Sequence, residues 1–175
     1  MRYLTTVFVI MSLQFSAIAQ DSEDFFTIYL VRHAEKELVS DNPRNPALTE
    51  CGKQRAESLA NFLNAVELDA IYSTNYTRTR STAQPTAKKQ ELEIITYNPR
   101  ELESFANRLI EGKEDVLVVG HSNTTGVLAG LLTGEEIGAF DEEIYNRIYQ
   151  VVMYRKTGRL HILHTAFECC EEANH

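Results

Sequence analysis

The sequence predicts an α/β fold, a three-layer α/β/α sandwich with a mainly parallel central sheet and a C-terminal antiparallel hairpin. Short apolar runs alternate along the chain with stretches in which apolar residues repeat at helical spacing. This alternation is typical of strands that are joined by crossover helices. Several runs are almost entirely apolar, as strands covered on both faces are. Two apolar runs near the end of the chain flank a short turn and predict the hairpin.

The individual elements follow from the same patterns. Strands are predicted at 25–31, 70–73, 92–97, 115–120, 149–154 and 159–163. Helices are predicted to begin at about 50, 77, 98 and 123. Thr49 is expected to cap the first helix, and Pro85 must kink or restart the second. Gly134 is expected to close the last helix, because glycine readily adopts the left-handed conformation found at helix ends.

The chain of 175 residues is predicted to form one domain behind a signal peptide. Residues 1–19 combine a basic start, an apolar run and the small-x-small sequence Ala17-Ile18-Ala19, which is typical of a cleavage site. The apolar run is shorter than the roughly 20 residues that a spanning helix needs. We therefore expect residues 20–175 to be exported, periplasmic or secreted, with no stable membrane insertion after signal removal.

Charge and cysteine content narrow the classes of partner. The formal net charge of −8 argues against nucleic acid, because a phosphate backbone requires a basic surface. The chain has 3 cysteines, an odd number for an exported protein. Cys51 can pair with Cys169 or with Cys170, and the sequence leaves both pairings and the oligomeric state open.

Polar residues follow each strand of the predicted parallel set. They are Arg32 and His33 after the first strand, Arg78 and Arg80 after the second, Glu101 and Glu103 after the third, and His121 after the fourth. In open α/β sheets the functional site lies outside the carboxyl ends of the strands. The sequence therefore predicts one site assembled from these strand ends.

The chemistry of this set indicates a phosphoryl group. Arginine provides a planar, permanently charged fork that matches phosphate oxygens. The loop at 120–123 precedes a predicted helix, whose free N–H groups favour an anion. A histidine can attack phosphorus if it is neutral, and neighbouring arginines disfavour its protonation. A carboxylic acid would protonate the departing oxygen and then deprotonate the attacking water. This scheme requires no metal and no cofactor.

Four segments carry a family resemblance in the same order. Residues 30–35 are similar to an Arg-His-Gly/Ala-Glu signature, and 74–83 are similar to a Ser-Pro-x-x-Arg-Ala-x-x-Thr-Ala segment. Residues 46–56 resemble a Leu-Thr-x-x-Gly-x-x-Gln-Ala helix start, and 119–122 resemble a second-histidine loop. Together they resemble the histidine phosphatase superfamily, also called the phosphoglycerate mutase-like fold. The resemblance implies that residues 20–175 form a histidine phosphatase domain.

The resemblance also implies roles for individual residues. His33 would be the nucleophile that becomes phosphohistidine, and Arg32, Arg78 and His121 would bind the substrate phosphate. Arg78 is preferred to Arg80 because it lies four residues before Thr82, as the family arginine lies before its threonine.

The chain departs from the family pattern at the proton donor. Ser122 and Asn123 follow the second histidine where one branch of the family has an aspartate. The other branch takes its acid from the preceding segment, which offers four glutamates: Glu91, Glu93, Glu101 and Glu103. We predict Glu101 as the catalytic acid, although a glutamate favoured by the helix dipole would look the same. Asn123 is predicted either to bind phosphate or to cap the following helix.

The function predicted from the sequence is metal-independent hydrolysis of a small phosphate monoester through a phosphohistidine. A phosphomutase of the same fold is the first alternative, and it is disfavoured because the chain lacks the extra length that the resemblance implies mutases use to enclose a substrate. A catalytically inactive module that binds phosphorylated ligands is the second. A binding module has no need of a nucleophile, and the joint presence of His33 and its phosphate-binding partners argues against it.

Overall fold

The structure, a computed structural model, describes residues 25–169, and within them it contains six strands and four helices. The strands are β1 (Phe25–Arg32), β2 (Ala70–Ser73), β3 (Ile94–Thr96), β4 (Val116–Gly120), β5 (Arg147–Tyr154) and β6 (Thr157–His164). The helices are α1 (Glu50–Phe62), α2 (Thr77–Gln90), α3 (Leu102–Gly112) and α4 (Thr125–Thr133). The predicted signal peptide lies outside the described residues.

The strands form a single mixed sheet in the order β3-β2-β4-β1-β5-β6. Strands β3, β2, β4 and β1 are mutually parallel, whereas β5 runs antiparallel to β1 and β6 antiparallel to β5. The predicted mainly parallel sheet and C-terminal hairpin are therefore confirmed.

Helices cover both faces of the sheet, which confirms the three-layer arrangement. On one face α3 and α4 pack against alternate strand residues such as Ile28 and Val118. On the other face α1 and α2 pack against the residues between them, such as Tyr29 and Leu117. Successive strand side chains point to opposite faces. A strand covered on both sides must consequently be apolar throughout, as β4 is.

Side-chain hydrogen bonds determine the residue at which two of the helices begin. Thr49 caps α1 as predicted, and its hydroxyl accepts a hydrogen bond from the Gly52 N–H at 3.0 Å. Helix α3 begins at Leu102, later than predicted, because the Asn98 side chain accepts from the Arg100 N–H at 3.1 Å. This side-chain turn competes with helix formation, so Glu101 takes the N-cap position instead of lying in the first turn.

Two further boundaries differ from the prediction. Helix α2 runs unbroken with Pro85 inside it, so the predicted restart does not occur. Buried residues on both sides, including Thr82 and Ala87, hold the helix against the core, and this packing offsets the single hydrogen bond that proline cannot donate. Strand β3 begins later than predicted because the Leu92 N–H closes the end of α2 by donating to the Ala87 carbonyl at 3.0 Å.

Helix α4 begins at Thr125, with Thr124 as its N-cap, so the prediction that Asn123 caps this helix is wrong. The Thr124 hydroxyl accepts from the His121 N–H at 3.0 Å, and this bond forms a turn before the helix. Gly134 closes α4 with φ 74°, as predicted.

Within residues 25–169, no helix has the length and apolar character that crossing a bilayer requires.

A disulfide joins Cys51, near the start of α1, to Cys169, with 5.6 Å between the Cα atoms. The pairing that the sequence left open is thus Cys51–Cys169 in this structure, while Cys170 lies outside the described residues. The bridge holds the segment that follows β6 against α1.

Candidate active site

The sheet register brings the predicted strand-end residues to one edge. Arg32, the last residue of β1, lies beside Gly120, the last residue of β4. The His33 N–H continues the ladder by donating to the Gly120 carbonyl at 3.0 Å. Strand β2 ends at the same level on the other side of β4. His33 and His121 therefore face each other across the strand ends, with 5.4 Å between their ring centroids.

A backbone hydrogen bond orients the imidazole of His33. Its Nδ1 lies 2.7 Å from the Ala34 carbonyl oxygen. A carbonyl oxygen only accepts, so Nδ1 must carry the proton and Nε2 of the neutral ring keeps its lone pair. The residue is 3% exposed, so bulk solvent has little access to Nε2.

His33 is held in its neutral form. Burial is the main cause that lowers its pKa from 6.5 to about 3, although the hydrogen bond to Ala34 acts in the opposite direction. The charges of Arg32, His121 and Arg78 lower the pKa further. The sequence predicted this direction from arginine repulsion, and the structure shows that desolvation contributes more.

His121 is similarly kept neutral beside His33. Burial lowers its pKa from 6.5 to about 4, and Arg78, Arg32 and Lys36 lower it further. Its Nε2 lies 3.1 Å from the Thr74 hydroxyl, at the end of β2. The ring of Tyr76 contacts the His121 ring edge to face, with 5.2 Å between centroids.

The two arginines at this edge carry N–H groups without acceptors. Arg32 donates from Nη1 to the Glu142 carbonyl, and its guanidinium lies 4.2 Å from the centre of the Tyr145 ring. Its Nε, together with Nε and Nη1 of Arg78, is buried and has no hydrogen-bond partner among the described residues. An unpaired buried donor on a charged group is costly. An anion bound between the two guanidinium groups would supply the missing acceptors.

Arg78 and Arg80 point in different directions. Two residues along an α-helix correspond to a rotation of about 200°, so the two side chains leave α2 on opposite sides. Arg78 lies over the Tyr76 ring, with 4.5 Å to the ring centre. Arg80 is exposed and donates to the Thr96 hydroxyl at 3.3 Å. The structure thus groups Arg78, but not Arg80, with the histidines.

Thr82 connects α2 to the end of β1. Its hydroxyl accepts from the Ala34 N–H at 2.9 Å and donates to the Arg78 carbonyl at 2.8 Å. One buried side chain therefore fixes the backbone after His33 relative to the backbone of Arg78.

Glu35 has a supporting role. Arg55 on α1 forms a bidentate ion pair with it, with nitrogen to oxygen distances of 2.6 to 2.9 Å. Arg55 also donates to the Phe167 carbonyl at 3.2 Å, in the segment that the disulfide holds. Glu35 lies close to Cys51 and Cys169 in an arrangement that could suit a metal ion. The carboxylate is already paired and both sulfurs are bonded to each other, so these groups do not fit a metal site.

Two predicted site residues lie apart from the histidines. Glu101 is exposed, and its carboxylate accepts from the Asn98 amide at 2.9 Å. Asn123 is also exposed. Among the described residues, neither makes a hydrogen bond or ion pair with His33 or His121. Their roles as acid and as phosphate ligand stay predictions.

The segment before β5 supplies residues that sequence reasoning missed. Glu142 and Tyr145 contact Arg32, as described above, and the Phe140 N–H donates to the Ser122 carbonyl at 3.2 Å. Burial lowers the pKa of Arg78, whereas the negative charge of Glu142 acts to raise it. The acidic run 141–143 is exposed, as its composition predicts, and Glu142 reaches Arg32 through its backbone carbonyl. The signal that could have placed this segment near Arg32 is the antiparallel pairing of β5 with β1, which starts β5 where β1 ends.

Comparison with known proteins agrees with this geometry. Residues 28–100 match the family model described as the histidine phosphatase superfamily, branch 1. The chain is therefore similar to this superfamily over less than half of its length. The matched segment contains three of the grouped residues, Arg32, His33 and Arg78, and ends before His121.

One sequence relative is also named as a phosphatase. The chain is 41% identical over 75 residues to phosphoserine phosphatase 1 of Hydrogenobacter thermophilus. The aligned part covers 39% of this chain and 34% of that protein, so it spans about a third of the relative's length.

Solved structures resemble this chain in fold over most of their length. The protein histidine phosphatase SixA complexed with tungstate superposes with a TM-score of 0.68 at 17% identity, covering 79% of this chain and 97% of that one. The alpha-ribazole phosphatase of Shigella flexneri gives a TM-score of 0.67 at 16% identity, covering 80% and 96%. At such low identity the likeness concerns the fold.

Proposed function

We propose that this protein is a phosphomonoesterase that requires no metal and forms a phosphohistidine at His33. One observation carries the proposal: a buried histidine with a lowered pKa and its proton held on Nδ1 lies close to Arg32 and Arg78, and buried N–H groups of both arginines have no acceptor among the described residues. A phosphate supplies both an electrophile for the imidazole and acceptors for the guanidinium groups. SixA forms a complex with tungstate, which is also an oxyanion, and this supports an anion site in the fold.

The proposed reaction has two steps. The Nε2 lone pair of His33 attacks phosphorus, the bond from phosphorus to the ester oxygen breaks, and the leaving oxygen takes a proton from a carboxylic acid. Water then attacks phosphorus and gives a proton back to that carboxylate, while the bond from phosphorus to nitrogen breaks and restores neutral His33. Three residues hold the phosphate oxygens through both steps: Arg32, Arg78 and His121. Their stabilisation of the negative charge on these oxygens in the transition state is the main source of the rate acceleration.

Two glutamates are candidates for the acid. Glu101 is the residue predicted from the sequence, and it lies at the start of α3. Glu142 is the candidate that the geometry adds, because its charge acts on Arg78 and its backbone carbonyl contacts Arg32. We favour Glu142, since Glu101 is held by Asn98 outside the group of histidines and arginines.

The activity is tested with an aryl phosphate in the presence of EDTA. We expect the purified protein to hydrolyse 4-nitrophenyl phosphate under these conditions. A quench followed by alkaline gel separation should trap a phosphoenzyme that is labile in acid. His33→Ala should form none, whereas Arg80→Gln, which changes an exposed arginine of the same helix region, should form as much as the unmodified protein.

Three outcomes would contradict the proposal. Full hydrolysis by His33→Ala would exclude the phosphohistidine, and loss of activity with EDTA that is restored by a divalent cation would exclude metal independence. Binding of phosphate without any hydrolysis would instead favour an inactive phospho-ligand module.

We also propose that the protein is exported. The support is the signal-peptide pattern of residues 1–19, together with the Cys51–Cys169 disulfide, a bond that persists mainly in oxidising compartments.

A further inference from the structure

A cavity of about 630 Å³ lies beside the phosphate-binding residues. Its lining consists of Asn75, Tyr76, Thr96, Tyr97, Asn98, Pro99 and Arg100. Sites for small molecules in proteins commonly have volumes of about 300–1,000 Å³. The cavity is therefore large enough for the alcohol part of a small phosphate ester.

Tyr76 connects the cavity to the phosphate-binding residues. Its ring is part of the cavity lining, and the same ring contacts both His121, at 5.2 Å between centroids, and the Arg78 guanidinium, at 4.5 Å. A phosphate held by Arg78 and His121 would thus lie next to the cavity. The ester oxygen has to point away from the attacking His33, and the cavity offers space for the group attached to it.

The cavity lining mixes polar and apolar surface and carries one positive charge. Asn75 contributes an amide, whereas the Thr96 hydroxyl and the Asn98 amide are already bonded to Arg80 and Glu101. The cavity has no carboxylate in its lining although the whole chain has a net charge of −8. Arg100 is the charged member. Its side chain is exposed, and within residues 25–169 its guanidinium has no hydrogen bond or ion pair.

A local turn fixes the backbone at Arg100. The Arg100 N–H donates to the Asn98 side chain at 3.1 Å, and the Glu101 N–H donates to the Asn98 carbonyl at 3.2 Å. The Glu101 carboxylate accepts from the Asn98 amide and lines an adjoining cavity with Arg108. Glu101 is not part of the lining beside Tyr76, and its carboxylate is already occupied by Asn98.

We propose that this cavity binds the alcohol part of the substrate and that Arg100 selects esters whose alcohol carries a second anionic group, a carboxylate or a further phosphate. The inference rests on the proposed phosphatase function for the position of the reacting phosphate. It adds a substrate class, namely small phosphate esters with at least two anionic groups.

The experiment compares pairs of esters that differ in the second anion. One pair is 3-phosphoglycerate with glycerol 3-phosphate, and the other is ribose 1,5-bisphosphate with ribose 5-phosphate. The unmodified protein should have the higher kcat/KM for the doubly anionic member of at least one pair. Arg100→Gln should reduce that preference about tenfold or more, mainly through KM, because a charge-assisted hydrogen bond is lost.

The matched control is Arg159→Gln, which removes the same charge from an exposed position on β6, at the opposite edge of the sheet from β3. This variant should keep the preference of the unmodified protein. Hydrolysis of 4-nitrophenyl phosphate, which has no second anion, should change little in Arg100→Gln.

Binding of the same pairs to His33→Ala, measured by calorimetry, separates this inference from the proposed reaction. If the doubly anionic esters bind more tightly and Arg100→Gln removes the difference, the subsite is supported even without hydrolysis. Equal affinity within both pairs, or an equal loss in both Arg100→Gln and Arg159→Gln, would overturn the inference while hydrolysis of 4-nitrophenyl phosphate still supported the phosphatase.

Discussion

At the scale of single residues, the site keeps a histidine neutral next to two permanent charges. His33 is buried among Arg32, Arg78, His121 and Tyr145, and its Nδ1 proton is fixed by the Ala34 carbonyl. In the proposed reaction, the same arginines that disfavour a proton on the imidazole would also attract a phosphate. Under that proposal, activation of the nucleophile and binding of the substrate depend on one arrangement of charges.

This arrangement predicts a loss of stability in acid. The pKa of His33 is about 3 in the folded state and near 6.5 when the chain is unfolded, so below pH 6.5 the unfolded state binds the additional proton. The contribution of neutral His33 to the free energy of unfolding is fully present above pH 6.5. It is lost progressively as the pH falls toward the folded-state pKa. The slope from one such group approaches about 1.4 kcal/mol per pH unit.

We expect His33→Asn to reduce this slope between pH 6 and pH 4.5, measured by urea unfolding at several pH values. His161→Asn, at an exposed position on β6, is the control and should leave the slope unchanged. An unchanged slope in His33→Asn would show that His33 does not enter the folded state as a buried neutral ring.

The acid can be identified from leaving-group dependence. If Glu142 donates the proton, Glu142→Gln should slow hydrolysis of an alkyl phosphate about a hundredfold or more and slow 4-nitrophenyl phosphate much less, because nitrophenolate leaves without protonation. The substitution keeps the backbone carbonyl that Arg32 contacts. Glu101→Gln is the matched comparison. A leaving-group effect in Glu101→Gln alone would restore the assignment made from the sequence.

At the scale of elements, the site depends on how α2 is attached to β1. The strand supplies His33 and the helix supplies Arg78, and the Thr82 hydroxyl bonds to the backbone of both segments. A second threonine, Thr86, lies one turn later on the same helix, and its buried hydroxyl has no partner among the described residues.

These two threonines provide a matched pair of substitutions. Thr82→Val should lower the free energy of unfolding by about 1–3 kcal/mol, because it leaves the buried Ala34 N–H without an acceptor, and it should also lower kcat. Thr86→Val removes a buried hydroxyl that makes no hydrogen bond among the described residues. This change should leave the free energy of unfolding the same or raise it slightly. Denaturant unfolding and initial rates measure both effects. Equal destabilisation by the two changes would mean that the Thr82 bonds do not couple helix and strand.

At the scale of the whole molecule, distant parts of the chain meet around the loop after His33. The antiparallel strand β5 brings Glu142 and Tyr145 to the carboxyl end of β1. The Cys51–Cys169 bridge, across a sequence separation of 118, holds the segment after β6 on Arg55, which in turn binds Glu35.

We expect protein purified from the exported fraction to contain this disulfide, and non-reducing peptide mapping should recover Cys51 linked to Cys169. Cys51→Ser should lower the free energy of unfolding by about 2–4 kcal/mol, since the bridge closes a long loop in the unfolded chain. The effect of Cys51→Ser should disappear when both proteins are unfolded in reductant. Recovery of Cys51 linked to Cys170, or of the intact protein in a reducing cytoplasm, would contradict the proposed pairing and export.

Much of the fold and part of the site follow from local patterns. The strands β1, β2 and β4 were predicted nearly to their ends because buried parallel strands are apolar on both faces. His33 and His121 lie close together because each follows the carboxyl end of a parallel strand, and these strand ends meet at one edge of the sheet. The start of α3 was misplaced because an asparagine side chain competed with the helix, and such competition depends on backbone geometry that a pattern of apolar residues does not contain.

The sequence by itself determined the α/β class, the order of the parallel elements and the edge of the sheet where Arg32, His33 and His121 meet. These depend on hydrophobic period and on residues adjacent to strand ends, both of which are local. The resemblance already preferred Arg78 to Arg80, and the structure likewise groups Arg78 with the histidines. Only the tertiary structure decided that Cys51 pairs with Cys169, that Glu142 contacts Arg32 through its backbone carbonyl, and that Arg100 lines the cavity next to Tyr76. Those outcomes depend on contacts between segments far apart in the chain, and their distances are set by packing of the complete sheet and its helices.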